Sequence, residues 1–403
     1  MGESFVARAS RQLLGDVDGL VADVAAAVQD AGLYGDSGVT AEDLRAAHRA
    51  NLVGLLGFLS GEPQAGLAAP QETGRLRGGQ GAPLPAVLRA YRLGASVIWD
   101  RLVAMAGDDA AARAELLSKA SLAWQIFDEY TQAVTVSYQD AVAEHARRDA
   151  AIRDAALDAL FGGQVAGGLL WDCATKLRLP QRGTFAVVVA TLPDRAIENT
   201  FDPLPGIEAE LTALGVRSAW RLQLGSQVGV VALTDTFGVQ RLCTMIAGRG
   251  TAPVGISTPY DGLDDTHAAL RQAQLACAAV GSADQRVLRY EDALVPALVA
   301  SAPEVAGALA AAVLGPLLAL PAADRDGLVE TLNCWFAAGG EVAAVAEALY
   351  CHRNTVRSRL NRITEATGCD VATPVGAAHL YLAMQAHRIN PMEPNPPEHR
   401  RTT

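Results

Sequence analysis

Apolar and polar positions divide the 403-residue chain into three stretches with different periods. From Val39 to about Phe161 nearly everything reads as helix. Thr40-Ala41-Glu42-Asp43 has the form of an N-cap with acids in the first turn, and Leu44, Leu52, Leu55, Leu56 and Leu59 continue one apolar side. A second helix, Leu84 to about Met105, follows the Gly/Pro-rich loop LRGGQGAPLP. The run from Ala112 to Phe161 contains neither proline nor glycine, and as one helix it would be about 75 Å long. A helix of that length leaves its own domain. Its first half is apolar and aromatic (Leu116, Leu117, Leu122, Trp124, Ile126, Phe127, Tyr130), whereas AVAEHARRDAAIRDAALDALF is alanine-rich with interspersed charges. The change fits packing inside a domain followed by a connector or dimer helix.

Between Gly162 and about Ala300 the period shortens. Thr184-Phe185-Ala186-Val187-Val188-Val189-Ala190 reads as a buried strand, Arg221 to Leu224 and Val228 to Leu233 flank a Gly225-Ser226 turn, and Pro253 to Ser257 is a further strand. Gly262 to Val280 reads as a helix, so strands and helices share a small sheet domain. From Pro303 helix returns, and NPMEPNPPEHRRTT is polar and proline-rich. The expected fold class is multidomain and mainly α. It comprises an N-terminal helical bundle at 1–161, a small central α+β domain at 162–300, a C-terminal helical domain at 301–389 and a disordered tail at 390–403.

Composition narrows the function classes. A formal net charge of -11 argues against a surface that binds nucleic acid or membrane everywhere, so local charge decides. Lys119 and Lys176 are the only lysines, and the other basic residues are arginines. MGESFVARASRQLL has no export pattern, and Val305 to Leu320 is too short to span a bilayer and contains Pro316. A cytoplasmic protein without a membrane segment is expected. The six cysteines form no CxxC pair and read as free thiols, and the spacing of Cys334, Cys351, His352 and Cys369 matches no zinc pattern. No metal or cofactor is expected. His48 and His145 are read as surface or packing residues on helices.

The strongest local signal is LYCHRNTVRSRLNRI, Leu349 to Ile363, which carries four arginines and no carboxylate. At 100° per residue Val356, Leu360, Ile363 and Thr367 share one side, with Asn354, Ser358, Asn361 and Glu365 opposite. Upstream, Glu341 to Leu349 forms a compact helix after Gly339-Gly340, and a break at Tyr350 to His352 separates the two. Two short helices joined by so tight a turn, the second one basic, predict a helix-turn-helix. Its candidate DNA contacts are Arg353, Asn354, Thr355, Arg357, Ser358, Arg359, Asn361 and Arg362. Arginine pairs with guanine and asparagine with adenine in the major groove, while flanking Arg and Thr hold phosphates.

Leu328-Val329-Glu330-Thr331-Leu332, Gly339-Gly340, Ala346-Glu347-Ala348-Leu349, His352-Arg353-Asn354-Thr355-Val356, Arg359-Leu360 and Thr367-Gly368 resemble the C-terminal domain of PucR/CdaR-type bacterial transcriptional regulators. The resemblance runs from about Leu314 to Ile389 and implies binding of double-stranded operator DNA through the helix that starts near Arg353. Two positions depart from the family pattern. Ser358 stands where an aromatic is common, and Cys351 where a small apolar residue is common. The middle region resembles the GGDEF-like domain of such regulators, with Leu224-Gly225-Ser226-Gln227-Val228 in place of the acidic turn of a working cyclase. Without carboxylates that turn cannot hold metal for phosphoryl chemistry. The N-terminal helices resemble those ahead of such regulators and in stressosome-type antagonist proteins. The combined expectation is a non-enzymatic transcriptional regulator, a homodimer or higher homo-oligomer, governed by an unidentified effector or protein partner. The competing readings are a nucleotide cyclase or phosphodiesterase built on the middle domain, and a partner-switching protein that does not bind DNA.

Overall fold

The structure, a computed structural model, describes residues 4–35, 37–61, 66–163, 166–192, 202–223, 225–249, 252–281 and 286–392. The chain forms two compact units, Met1–Ala151 and Ile152–Thr403. Sixteen helices and six strands among the described residues make it mainly helical.

The first unit contains α1 (Phe5–Gly15), α2 (Val17–Asp30), α3 (Ala41–Leu59), α4 (Ala68–Gly79), α5 (Leu84–Ala106) and the greater part of α6 (Ala110–Gly162). The proline-free run is thus one continuous helix. At the start of α3, Thr40 and Asp43 form a reciprocal capping box, Asp43 N–H donating to Thr40 Oγ1 at 3.1 Å and Thr40 N–H to Asp43 Oδ2 at 3.2 Å. Leu20, Val24, Leu52, Leu56, Ile98 and Leu102 meet in the core. This is the apolar side predicted for α3, with α1 and α2 added.

Helix α4 has the sequence AAPQETGRLRGG, a poor helix former by intrinsic propensity. Its glycines have a packing reason. A Cβ at Gly74 would lie 2.4 Å from the Val134 carbonyl oxygen, and one at Gly78 would lie 2.8 Å from that of Tyr138, so α4 rests directly on the backbone of α6. Gly74→Ala should destabilise the first unit by about 3 kcal/mol, as forced separation of packed helices does. Urea denaturation would measure this. Gly79→Ala is the control, because its Cβ would meet only the His145 ring edge at 3.4 Å.

In the second unit the end of α6 and α7 (Gly168–Leu177) lead into a sheet of β1 (Thr184–Thr191), β2 (Ser218–Gln223), β3 (Ser226–Leu233), β4 (Val254–Ile256), β5 (Tyr260–Asp261) and β6 (Val287–Arg289). The order is β2-β3-β1-β4-β6, with β5 also paired to β1. All pairs are antiparallel except β4 with β6. Strand β1 is buried on both faces, which explains its unbroken apolar run. Phe185, Val187 and Val189 face α7 and α10 (Thr266–Ala278), while Ala186, Val188 and Ala190 face α8 (Ile207–Ala213) and α9 (Val239–Ala247). The helix predicted from Gly262 begins with a short 3-10 turn, Leu263–Asp265, before α10. The expected hairpin is present, with Gln223 opposite Ser226, and Leu224 lies outside the described residues.

Five further helices carry the interface described next: α12 (Pro303–Leu318), α13 (Ala322–Ala337), α14 (Val342–Ala348), α15 (Arg353–Thr367) and α16 (Pro374–Ile389), preceded by α11 (Leu294–Ser301). Pro316 sits inside α12, whose Leu314 and Leu317 are buried in the core of this group. Among the described residues no single helix is long and apolar enough to cross a membrane. From residue 393 onward the tail lies outside the described residues.

Candidate nucleic-acid interface

The helix-turn-helix is α14, the four-residue break Leu349 to His352, and α15. Helix α14 closes with the two bonds of a Schellman motif: Cys351 N–H donates to the Ala346 carbonyl at 2.9 Å and Tyr350 N–H to that of Glu347 at 3.2 Å. The motif demands a left-handed residue, usually glycine, and here Tyr350 takes it with φ +48°. The residue is 98% exposed, so its left-handed conformation rests on these two backbone hydrogen bonds and not on packing of its side chain. His352 then caps α15, its Nδ1 accepting from Asn354 N–H at 3.2 Å. At the far end Gly368, φ +70°, ends the helix and donates to the Thr364 carbonyl at 2.8 Å.

Val356, Leu360 and Ile363 are buried against Leu328, Leu332, Val345 and Leu380, and this fixes the roll of α15. Thr367 is half-buried, with its hydroxyl donating to the Ile363 carbonyl at 2.7 Å. Cys351 packs at the edge of the same core, and Ser358 is exposed. All six cysteines of the chain are unpaired.

The eight expected DNA contacts divide into two sets. Arg353, Asn354, Arg357, Ser358 and Asn361 are exposed and fall on one stripe about 140° wide. Neither Arg353 nor Arg357 has an ion-pair partner among the described residues. The other flank, holding Thr355, Arg359 and Arg362, turns toward α13. Arg359 is half-buried and donates from Nη1 to Thr331 Oγ1 at 3.2 Å, and Thr331 itself is fully buried and bonded to the Gly327 carbonyl at 2.6 Å. Arg362 pairs with Asp324 at 3.1 Å. Two of the four arginines therefore brace α15 against α13, while Thr355 stays exposed. The periodicity of α15 did not reveal this difference, because the partners Thr331 and Asp324 lie far upstream in the chain, on another helix.

In the middle region the turn corresponding to a cyclase signature holds Gly225, Ser226, Gln227 and Val228 without a carboxylate. Gln227 is buried and its Oε1 accepts from Leu204 N–H at 2.8 Å, a bond that ties the hairpin to the segment leading into α8. The GGDEF-like domain is degenerate at this turn.

Comparison with known proteins places three families along the chain. Residues 17–153 match the RsbT co-antagonist protein rsbRD N-terminal domain, residues 162–279 the GGDEF-like domain, and residues 328–386 the PucR C-terminal helix-turn-helix domain. Among curated proteins, the chain is 38% identical over 104 residues to the carbohydrate diacid regulator of Escherichia coli, covering 25% of this chain and 26% of that protein. It is 32% identical over 178 residues to an uncharacterized protein of Mycobacterium tuberculosis, covering 43% and 40% respectively. The chain therefore spans less than half the length of these curated relatives. A crystal structure of a regulator of polyketide synthase expression from Bifidobacterium adolescentis aligns with 60% of this chain and 99% of its own, at 21% identity and a TM-score of 0.31. The chain thus carries in series an RsbRD-type N-terminal domain, a GGDEF-like domain and a PucR-type C-terminal helix-turn-helix domain, a set that supports its resemblance to PucR/CdaR-type regulators.

Proposed function

We propose that the protein is a sequence-specific DNA-binding transcriptional regulator of the cytoplasm and not an enzyme. The observation that carries this is the exposed stripe of α15, where two arginines, two asparagines and a serine project from a helix whose opposite face is locked into a core. Arg353 and Asn354 stand in its first turn, the part of a recognition helix that reaches base edges in the major groove. Arg357, Ser358 and Asn361 continue the readout, Thr355 meets backbone phosphate, and Arg359 and Arg362 hold the helix at its angle.

One such helix makes few contacts. A homodimer or higher oligomer would present two, matched to half-sites about 34 Å apart or a multiple of that. On this reading the chain divides near 161 and 300 into sensor, relay and DNA-binding parts. An effector or partner acts by binding one arrangement of the oligomer more tightly than another.

Selection of genomic fragments with the purified protein at a fixed, near-physiological salt concentration should enrich a few discrete sequences. The same preparation given GTP with Mg²⁺ or Mn²⁺ should show no turnover. Uniform recovery of fragments, or sustained nucleotide turnover, would overturn the reading.

A further inference from the structure

The turn between α14 and α15 carries a side chain that neither the core nor the stripe of α15 accounts for. Tyr350 is 98% exposed, more than any other large apolar or aromatic residue among those described. Its hydroxyl makes no hydrogen bond among the described residues.

The backbone makes the choice of residue more telling. Tyr350 fills the left-handed position of the Schellman motif at φ +48°, where glycine meets no steric penalty and a residue with a Cβ does. The two hydrogen bonds that hold the turn come from the main-chain N–H groups of Tyr350 and Cys351. A glycine would keep both. The tyrosine side chain therefore costs stability at this position and returns none through packing, as a residue kept for a contact outside the domain does.

Its place in the fold limits what that contact can be. Cys351 packs at the edge of the helical core, and Tyr350 and His352 on either side of it are exposed. Tyr350 stands three residues before Arg353, the first residue of α15, so at about 3.8 Å per residue their Cα atoms are at most about 11 Å apart. The major groove is about 12 Å wide. With the first turn of α15 in the groove, the turn before it lies at the groove's edge, where DNA offers phosphate and sugar. Tyrosine hydroxyls donate to phosphate oxygens.

We propose that Tyr350 is a further DNA contact of this interface, its hydroxyl donating to a backbone phosphate at the edge of the half-site and fixing the register of α15 in the groove. This rests on the DNA-binding reading above and adds to it a positioning contact outside the recognition helix.

The test uses the full chain and a duplex that the wild-type protein selects. Tyr350→Phe keeps the ring and should weaken binding about ten-fold, the loss of one hydrogen bond to a charged group. Binding to an unrelated duplex of equal length should weaken by a similar factor, and the selected motif should stay the same, because phosphate carries no sequence information. The slope of log affinity against log salt should also be unchanged, since a neutral phenol displaces no counter-ion. Tyr350→Gly should weaken binding at least as much while raising the urea midpoint, which Tyr350→Phe should leave in place. Light scattering should give the same oligomer mass for all three proteins. Wild-type affinity in Tyr350→Phe, an altered motif, a smaller oligomer in either variant, or a lower urea midpoint in Tyr350→Gly would overturn the proposal. If the wild-type protein selects no duplex, the regulator reading fails and this contact with it; selection by the wild type with unimpaired Tyr350→Phe removes the contact alone.

Discussion

Replacing Arg353 and Arg357 together with alanine is expected to weaken binding to a selected duplex by about a hundred-fold or more, with little change in the stability of the C-terminal helices. Each guanidinium is exposed and has no ion-pair partner among the described residues, so its removal leaves no buried group unsatisfied. Each one lost from a base edge would remove about 1 to 3 kcal/mol of discrimination. If either meets phosphate instead, the dependence of log affinity on log salt becomes shallower by about one unit per contact. Arg359→Ala should behave differently. It strips a hydrogen bond from fully buried Thr331 and should cost about 1 kcal/mol in stability by denaturation. Weaker DNA binding in that variant would follow from a tilted α15. Anisotropy titrations over a salt series, alongside urea melts, separate the two classes of arginine.

The second large effect concerns the first unit and pH. His48 sits on α3 with its Nε2 buried, and it shares the wall of an internal cavity with Arg77 from α4, Tyr91 from α5, Tyr130 from α6 and Tyr34. Burial first, and the Arg77 charge second, lower its pKa from the ordinary 6.5 to about 4. The folded state therefore excludes a proton that the unfolded chain takes up. Stability from this group is complete above about 6.5 and is lost as pH falls toward 4. Allowing for partial exposure of the residue, the loss across that window is about 2 kcal/mol. Carboxylates elsewhere titrate in the lower part of the same range, so the informative quantity is the difference from His48→Gln. That variant cannot charge, and its stability should fall less steeply between pH 6.5 and pH 4. Parallel slopes for the two proteins would place the ring in water.

Some of this was legible in the sequence because the signal is local. Strand β1 reads as doubly buried because its apolar residues run without alternation, and α15 reads as amphipathic because Val356, Leu360 and Ile363 recur at helical spacing. The capping box at Thr40 lies within four residues. What was not legible depends on contacts between distant segments. Helix α4 is hidden by its glycines and proline, which penalise an isolated helix yet permit the approach to α6 that its sequence alone does not show. His48 reads as a packing residue until five helices close around it and leave its Nε2 unpartnered. Arg359 and Arg362 are indistinguishable in sequence from Arg353 and Arg357, and only their neighbours Thr331 and Asp324 set them apart. Tyr350 gave no sign of a left-handed backbone, since the Schellman position it occupies is usually glycine.

The central claim is that the exposed stripe of α15 reads bases. The most direct test repeats the genomic-fragment selection with Asn354→Ala, whose side chain is exposed in the first helical turn and serves no internal hydrogen bond among the described residues. If Asn354 reads an adenine, the enriched motif should keep its spacing and its other positions while losing one adenine preference, at the equivalent place in each half-site. An unchanged motif, or a uniform loss of enrichment with no position singled out, would contradict base reading by α15.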